Sequence, residues 1–220
     1  MVFAAIFILL GTAATLAGIS AGGPGLLLIW PGLSAFLTGL AYVTIGARVY
    51  GKRPDGRLPL WSKLLHGPFL LCRWSIWHIG RLLSREEATS RVNDSLVIGR
   101  RVLPAEAEAR FANWVDLTAE FDEPDQIRSA EGYIALPILD GSTPTVSEVR
   151  ATIDRLRPGA TYIHCAQGHG RAALFALALM HHQQDIGDLE TGLSILQQAR
   201  PAVALNGPQK HFIRDYMETM

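Results

Sequence analysis

One short segment of the chain combines a nucleophile, two glycines and an arginine. Cys165 follows an apolar run, and Arg171 stands six positions later, with Gly168 and Gly170 between them. At the end of a buried strand and facing a helix N-terminus, a cysteine is stabilised as thiolate by the helix dipole and backbone N–H groups. The glycines let these N–H groups point inward, and the arginine can bind two oxygens of a tetrahedral anion. The pattern predicts an anion site with a nucleophile at its base; the alternative, an inert buried cysteine, leaves the arginine and glycines unexplained.

The surrounding segments predict the strand and helix that must position this loop. Short apolar runs alternate with longer helical patterns, which is typical of an α/β domain with a mostly parallel sheet flanked by helices. The predicted strands are 96–99, 112–117, 133–136 and 161–164, and the predicted helices are 104–110, 146–156, 171–183, 189–198 and 208–217. We expect one such domain over residues 92–220.

The loop resembles the signature of a known enzyme family. His164 and Cys165, five further residues and Arg171 are similar to the HCX5R loop of cysteine-dependent protein tyrosine and dual-specificity phosphatases, as in a bacterial-type membrane-anchored member. The resemblance covers about residues 92–216 and implies a dual-specificity-phosphatase-like fold. Its other parts are an opening strand at 93–99, a strand and turn at 115–121, a general-acid loop at 136–140, and a closing helical region with Arg200, Pro201 and Gln209.

The resemblance implies a role for each residue of the loop. Cys165 would attack phosphorus to form a cysteinyl-phosphate, and Arg171 would bind the equatorial oxygens together with the loop backbone. His164 would orient the loop and favour the thiolate. The remaining phosphate-binding loop consists of Ala166, Gln167, Gly168, His169 and Gly170.

Two further residues complete the expected site. Asp140 matches the general acid of the family, although Asp140-Gly141-Ser142 is also a good turn by itself, and Asp122 and Asp125 are weaker candidates. Gln209 resembles the glutamine that positions the hydrolytic water in some relatives. No metal and no cofactor is expected, because the loop and Arg171 supply the electrostatic stabilisation.

One position departs from the family pattern. Ala172 stands where the family usually has Ser or Thr, whose hydroxyl helps the sulfur leave in the second step. Hydrolysis of the intermediate would then be slow, or the protein would bind phosphate without efficient turnover. Because Cys165, Arg171 and Asp140 are all present, an active phosphatase is the favoured hypothesis, and a phosphate-binding pseudophosphatase or adaptor at the membrane is the alternative.

The charges of the chain are segregated. Its 220 residues hold 20 basic and 20 acidic side chains, are 49% apolar and include only two cysteines, which excludes disordered and disulfide-rich classes. Residues 1–47 carry no charged side chain. Residues 48–85 carry eight basic residues and one acidic residue, a balance of +7, and residues 86–220 carry 12 and 19, a balance of −7.

The uncharged segment is long enough for two membrane crossings. We predict a transmembrane hairpin over residues 1–47, with spans at 2–20 and 26–47, a turn at 21–25, and a kink at Pro31. The alternatives are a signal peptide, which would need a basic leader, and a hairpin buried in a soluble domain. By the positive-inside rule, the basic residues after the second span place the catalytic domain in the cytoplasm.

Residues 48–91 form a basic and aromatic juxtamembrane segment. Its arginines at 73, 81 and 85 are spaced to share one face of a helix that begins after Pro68, which suits an interface with anionic headgroups. The alternative is a helix packed on protein with solvated arginines. Cys72 in this segment is most simply a small apolar residue, with palmitoylation as the alternative.

The sequence leaves the substrate open. His169 is a basic loop residue of the kind found in relatives that act on acidic lipid headgroups, and it otherwise faces solvent. A phospholipid monoester and a phosphotyrosine or phosphoserine/threonine protein are equally natural substrates for the family. The expected partners are therefore such a substrate and the membrane, with no nucleic acid.

Overall fold

The computed structural model describes residues 2–107 and 111–219, which fall into two compact units. The first unit comprises Met1–Arg53, Arg57–Ser84 and Ala119–Asp122, and the second comprises Pro54–Gly56, Arg85–Thr118 and Glu123–Met220. The end of the predicted helix 104–110 lies outside the described residues. Its start is a 3₁₀ turn, Pro104–Glu106.

The first unit begins with a helical hairpin. Helix α1 covers Val2–Ala21, a 3₁₀ segment covers Gly23–Leu28, and helix α2 covers Ile29–Ala41. Gly22 and Gly23 have positive φ at the turn, where glycine is conformationally unrestricted. The second helical stretch starts and ends earlier than the predicted span 26–47, and Pro31 lies in the first turn of α2, at the change from 3₁₀ to α geometry.

Both arms of this hairpin are long and apolar enough to cross a bilayer. The first spans 20 residues, Val2–Ala21, and the second 19, Gly23–Ala41. Only Ala4, Gly11 and Gly18 are buried in α1, whereas its large apolar side chains are exposed, among them Leu9, Leu10 and Leu16. The hairpin therefore presents apolar surface outward.

Two further helices follow, α3 at Leu60–Leu65 and α4 at Gly67–Leu83. Within the first unit Trp77 of α4 is buried and lies against Phe121, and Arg73 pairs with Glu120 at 3.5 Å. Arg81 lies over the ring of Trp77. The prediction of one arginine face was wrong for Arg85, because the helix ends two residues before it.

The opposite side of α4 is apolar. Its exposed apolar side chains are Leu71, Trp74, Ile76, Ile79, Leu82 and Leu83. Arg73 and Arg81 thus make contacts within the protein, and the exposed side of α4 consists mainly of aliphatic and aromatic surface.

The second unit contains a five-stranded sheet flanked by helices. Its strands are β1 Thr89–Arg91, β2 Leu96–Arg100, β3 Asn113–Thr118, β4 Tyr133–Ile138 and β5 Thr161–Cys165, in the order β1-β2-β5-β3-β4. Strands β2 to β5 are parallel, and only β1 pairs antiparallel, with β2. The helices are α5 Asp125–Arg128, α6 Val146–Ile153, α7 Gly170–His182, α8 Leu189–Ala199 and α9 Gly207–Glu218.

This arrangement confirms the predicted α/β fold. The four predicted strands correspond to β2 to β5 within two residues at each end, and four of the predicted helices correspond to α6 to α9. Strand β1 and helix α5 were not predicted, because each is a short polar segment without apolar periodicity. Strand β5 is buried along its whole length between β2 and β3, so its carboxyl end meets theirs at one edge of the sheet.

The hairpin offers a direct test of its packing. A side chain at Gly32 would place its Cβ 2.8 Å from the Thr15 nitrogen, so helices α1 and α2 approach each other through this glycine. We expect Gly32→Leu to lower the free energy of unfolding of the full chain in detergent micelles by about 1–3 kcal/mol, the usual cost of overpacking. Ala17→Leu, at an exposed position of α1, is the control and should have little effect. Equal stability of the two variants would contradict the packed hairpin.

Candidate active site

The candidate nucleophile lies where β5 passes into α7. Cys165 is the last residue of β5 and is 3% exposed, and α7 begins at Gly170. The backbone N–H of Gly168 points at the Cys165 sulfur, with a nitrogen-to-sulfur distance of 3.3 Å. The sulfur thus accepts a hydrogen bond from the loop that leads into α7.

Gly168 is required by the curvature of this loop. Its φ is +78°, and a Cβ there would lie 2.7 Å from the Arg100 nitrogen and against the Gly99 carbonyl group. The loop therefore turns back onto the end of β2. The N–H of Arg101 donates to the Cys165 carbonyl at 2.7 Å, which fixes the base of the loop from the same side.

Arg171 extends from α7 across the carboxyl ends of two strands. It is 1% exposed, and its Nη1 donates to the carbonyl oxygens of Ile138 at 2.9 Å and Leu117 at 3.4 Å. Its Nη2 lies 3.3 Å from Oδ1 of Asp140. The guanidinium thus connects the loop with the ends of β3 and β4.

Asp140 lies in a turn directly after β4 and its side chain is 48% exposed. Helix α9 holds this turn, since Asn206 Nδ2 donates to the Gly141 carbonyl at 2.7 Å and Gln209 Nε2 to that of Ser142 at 3.3 Å. Gln209 is buried and adjoins Gly170, where a Cβ would lie 3.2 Å from its Oε1. The structure therefore brings Asp140 and Gln209 together with the loop.

The two weaker acid candidates have other partners. Asp122 accepts the N–H of Leu58 at 2.6 Å and pairs with Lys63, all within the first unit. Asp125 pairs with Arg128 of its own short helix at 2.8 Å. Asp140, by contrast, contacts Arg171.

A buried polar cluster adjoins the residue before the cysteine. Oxygens of Asp116 and Glu123 and a ring nitrogen of His164 lie within 4.8 Å of one another, and all three residues are buried. Arg101 Nε donates to Glu123 Oε2 at 3.2 Å, and the hydroxyl of Tyr133 donates to Asp116 at 2.7 Å. Burial, and then the charge of Asp116, raise the pKa of Tyr133, so its hydroxyl stays protonated as a donor.

Such a group of side chains could hold a metal ion, but both oxygens of Asp116 and Oε2 of Glu123 already accept hydrogen bonds. Asp116 accepts from the N–H and hydroxyl of Thr118 as well as from Tyr133, and Glu123 faces the Arg101 guanidinium. A cation there would compete with these donors. The cluster is therefore better described as a group of charged, hydrogen-bonded side chains beside His164, whose Nε2 lies 4.0 Å from Oε1 of Glu123.

Arg101, Glu123 and Tyr133 were not predicted from the sequence as part of the site. One signal was available for two of them: Arg101 and Glu123 are charged residues that follow predicted parallel strands by a few positions. Carboxyl ends of parallel strands meet at one edge, so charged residues just beyond them are candidates for mutual contact.

The outer side of the loop carries a further charged contact. His169 Nε2 lies 2.7 Å from Oε2 of Glu86, and Nη2 of Arg200 lies 3.1 Å from the same oxygen. The same Arg200 nitrogen donates to the Gln167 carbonyl at 3.0 Å. Residues 86, 167, 169 and 200 thus form the rim of the loop, and Glu86 was not predicted as part of it.

Ala172 is fully buried in the hydrophobic core at the start of α7. The methyl group at this position packs against apolar neighbours and provides no hydroxyl near the sulfur. The hydroxyl that the family pattern places at this position is therefore missing from the site.

Comparison with known proteins identifies the fold. No family model and no curated protein sequence matches the chain. Among solved structures, Tk-PTP in its active form is 21% identical with a TM-score of 0.51, covering 60% of this chain and 98% of its own. Human DUSP28 is 18% identical with a TM-score of 0.52, covering 61% and 95%, and PTPMT1 in complex with PI(5)P is 11% identical with a TM-score of 0.52, covering 60% and 96%. The chain therefore has the dual-specificity-phosphatase-like α/β fold.

The loop geometry predicts a strong effect at Gly168. We expect Gly168→Ala to lower the free energy of unfolding by at least about 1–2 kcal/mol, because φ is positive and the Cβ meets the backbone of β2. Orthophosphate binding should weaken at least about tenfold as the N–H groups lose their alignment. Denaturant unfolding of the full chain measures the change in stability, and calorimetry measures the change in orthophosphate affinity.

The control for this variant is Gly187→Ala. Gly187 has ordinary φ and open space around its Cβ position, so we expect unchanged stability and phosphate binding. Indistinguishable behaviour of the two alanine variants would contradict the described loop.

The ion pair behind the loop gives a second prediction. Glu123→Ala removes a fully buried carboxylate from Arg101 and should cost about 3–5 kcal/mol of unfolding free energy. Glu131→Ala removes an exposed carboxylate from Arg157 and should cost at most about 1 kcal/mol. Chemical denaturation measures the unfolding free energy of both variants. A loss in Glu123→Ala no larger than that in Glu131→Ala would show that this cluster does not stabilise the protein.

Proposed function

We propose that the chain is a phosphomonoester phosphatase that works through a cysteinyl-phosphate intermediate and is attached to a membrane. The observation that carries the proposal is the convergence of three groups. The Cys165 sulfur accepts a hydrogen bond from the loop backbone, Arg171 is held at the ends of β3 and β4, and Asp140 contacts Arg171. A nucleophile, a fixed cation and an acid at one strand edge are the parts that phosphoryl transfer to a thiolate needs.

In the first step the Cys165 thiolate attacks phosphorus. The S–P bond forms as the bond from phosphorus to the leaving oxygen breaks, and Asp140 in its protonated form gives its proton to that oxygen. Arg171 and the loop N–H groups bind the equatorial oxygens and stabilise the charge spread over them. The products are an alcohol or phenol, a cysteinyl-phosphate and the Asp140 carboxylate.

In the second step water attacks the cysteinyl-phosphate. The Asp140 carboxylate accepts a proton from this water, the new O–P bond forms, and the S–P bond breaks to return the thiolate and release phosphate. Gln209 adjoins both the loop at Gly170 and the turn after Asp140, which suits a role in positioning the water. No hydroxyl is available at Ala172, so this second step is the slower one in the proposal.

Attachment to a membrane is supported by the hairpin. Its outward apolar surface would be exposed to water in a soluble protein, whereas a bilayer would cover it. The exposed apolar side of α4 fits the interfacial layer. The balance of +7 over residues 48–85 supports a cytoplasmic location of the residues that follow.

The substrate class within phosphomonoesters has two candidates. The candidates are phosphoproteins and phospholipid monoesters. The resemblance to dual-specificity phosphatases such as DUSP28 supports the first, and the similarity of the fold to PTPMT1, which was solved with PI(5)P, supports the second. The competing function is a phosphate-binding adaptor, for which Ala172 is the supporting observation. Arg171, Cys165 and Asp140 together favour the enzyme.

Kinetics on the reduced full-length protein in detergent micelles test this proposal. Cys165→Ser should abolish hydrolysis of 4-nitrophenyl phosphate. Asp140→Asn should reduce kcat/KM, which reports the first step, by about 10²–10⁴-fold with an alkyl phosphate and by less with 4-nitrophenyl phosphate, whose leaving group needs less protonation. Asp125→Asn, which removes a carboxylate paired with Arg128, is the control and should leave turnover unchanged.

Two outcomes would contradict the enzyme. One is a folded, reduced wild type that binds phosphate but hydrolyses neither ester, which would favour the adaptor. The other is an equal loss of kcat/KM in Asp140→Asn for both leaving groups, which would contradict the acid role of Asp140 in the proposed mechanism.

A further inference from the structure

An apolar groove of about 260 Å³ lies within the first unit, where the second arm of the hairpin ends. One wall consists of the end of α2 and the turn after it, with Leu37, Leu40 and Thr44. The other wall includes Trp61 and Leu65 of α3. The groove is slightly smaller than the sites that enclose a whole drug-sized ligand, so its volume suits a single hydrocarbon chain.

One charged side chain lies among the described residues that line the groove. It belongs to Arg48, in a 3₁₀ turn at Gly46–Tyr50; this residue is exposed, and the described part of the chain contains no ion pair with it. His66 also lines the groove, but burial lowers its pKa, so its ring is neutral at pH 7. The lining therefore combines apolar walls with one guanidinium that is available to an anion.

The walls of the groove are held in place by contacts outside its lining. The indole Nε1 of Trp30 in α2 donates to the carbonyl oxygen of Leu64 in α3 at 2.9 Å. The Tyr50 ring lies 5.0 Å from the His66 ring, edge to face, and its hydroxyl is 3.3 Å from Oγ1 of Thr38 in α2. These contacts fix α3 and the 3₁₀ turn against α2, so the groove is already formed without a ligand.

The rim of the groove is apolar. Leu40, Ile45 and Trp61 line the groove and are also exposed at its edge. Tryptophan is typical of the boundary between the hydrocarbon and headgroup layers of a membrane. Such a rim favours a ligand that enters sideways from a bilayer over one that arrives from water.

The order of these groups along the chain matches the layers of a membrane. Leu37 and Leu40 belong to the apolar arm Gly23–Ala41, and Arg48 is the first charged residue after that arm. An acyl chain beside the leucines would lie in the hydrocarbon layer. A phosphate beside Arg48 would lie in the headgroup layer, on the side where the basic residues follow.

We propose that this groove binds one anionic phospholipid, with an acyl chain between α2 and α3 and the headgroup phosphate on Arg48. The site goes beyond the proposed catalysis and rests only on the proposed attachment of the hairpin to a membrane. A guanidinium can bind a phosphate group through two parallel hydrogen bonds. An anionic lipid is preferred over a zwitterionic one, because only the former keeps a net charge that the basic residues after the span attract.

The opposing interpretation is diffuse attraction. Residues 48–85 have a balance of +7, and any of their cations could collect anionic lipid around the hairpin. In that case each exposed arginine of the segment would contribute about equally. The groove instead predicts that the preference for anionic lipid depends on Arg48 and on the free volume between α2 and α3.

Native mass spectrometry of the full-length protein, released from detergent micelles, tests the charge. The probes are phosphatidylglycerol and phosphatidylcholine with the same two oleoyl chains. For the first bound lipid we expect wild type to prefer phosphatidylglycerol by about fivefold, and Arg48→Gln to lose this preference while its phosphatidylcholine affinity changes less than about twofold. Arg53→Gln is the control, because it removes an exposed arginine that does not line the groove, and it should keep the preference.

A second pair of variants tests the volume. Thr44→Trp adds a bulky side chain at an exposed position of the groove wall and should weaken binding of the first lipid at least about tenfold for both probes, because the acyl chain loses apolar contacts. Val43→Trp, at the neighbouring exposed residue outside the lining, should bind both lipids as wild type does. Thermal unfolding in micelles shows whether each variant is folded; if Thr44→Trp is not, the two arginine variants decide alone.

The outcomes separate the lipid site from the attachment on which it rests. Equal loss of the preference in Arg48→Gln and Arg53→Gln, or unchanged lipid binding by a folded Thr44→Trp, overturns the site and supports diffuse attraction. Alkaline washing of membranes that contain the full-length protein measures the attachment by itself. Release of wild type by the wash would contradict the attachment and the lipid site together, whereas retention without any preference for phosphatidylglycerol would contradict the lipid site alone.

Discussion

Arg171 carries a permanent positive charge into a place where 1% of its surface remains exposed. Desolvation of such an ion costs several kcal/mol, so it is tolerated only where dipoles and counter-charges surround it. The carbonyl groups of Leu117 and Ile138 and the carboxylate of Asp140 provide these contacts. The ends of β3 and β4 must therefore converge on the first turn of α7, which places Asp140 and Arg171 at the edge of the sheet where β5 ends at Cys165.

The loop around this cation depends on backbone geometry and on charges behind it. Gly168 permits a turn so close to β2 that a side chain would meet the backbone. His164 adjoins Glu123, which Arg101 neutralises, and the N–H of Arg101 holds the Cys165 carbonyl. Residues 86–220 have a balance of −7, yet an N–H group points at the Cys165 sulfur and a buried guanidinium lies at the same edge of the sheet. Net charge thus says little about such a site.

The sequence was sufficient to predict the elements in which a regular apolar pattern lies next to residues of recognisable chemistry. Apolar strands followed by glycine and a helical run located β5, the loop and α7, and the spacing from Cys165 to Arg171 placed both at one edge. Strand β1 escaped prediction because Thr89, Ser90 and Arg91 have no apolar alternation, and their pairing depends on β2. The contact of Glu86 with His169 joins residues 83 positions apart, and only the folded chain brings them together. Likewise the sequence could not show that Arg73 pairs with Glu120.

The proposed mechanism depends on covalent phosphorylation of Cys165 during hydrolysis of a phosphomonoester. Rapid acid quenching of the reduced full-length protein with 4-nitrophenyl phosphate, followed by peptide mass spectrometry, tests it most directly. We expect one phosphoryl group on the peptide that contains Cys165, and we expect it to accumulate because the lack of a hydroxyl at Ala172 makes the second step the slower one. Hydrolysis without any phosphorylated peptide, or a phosphoryl group on another residue in a protein that stays active as Cys165→Ser, would contradict it.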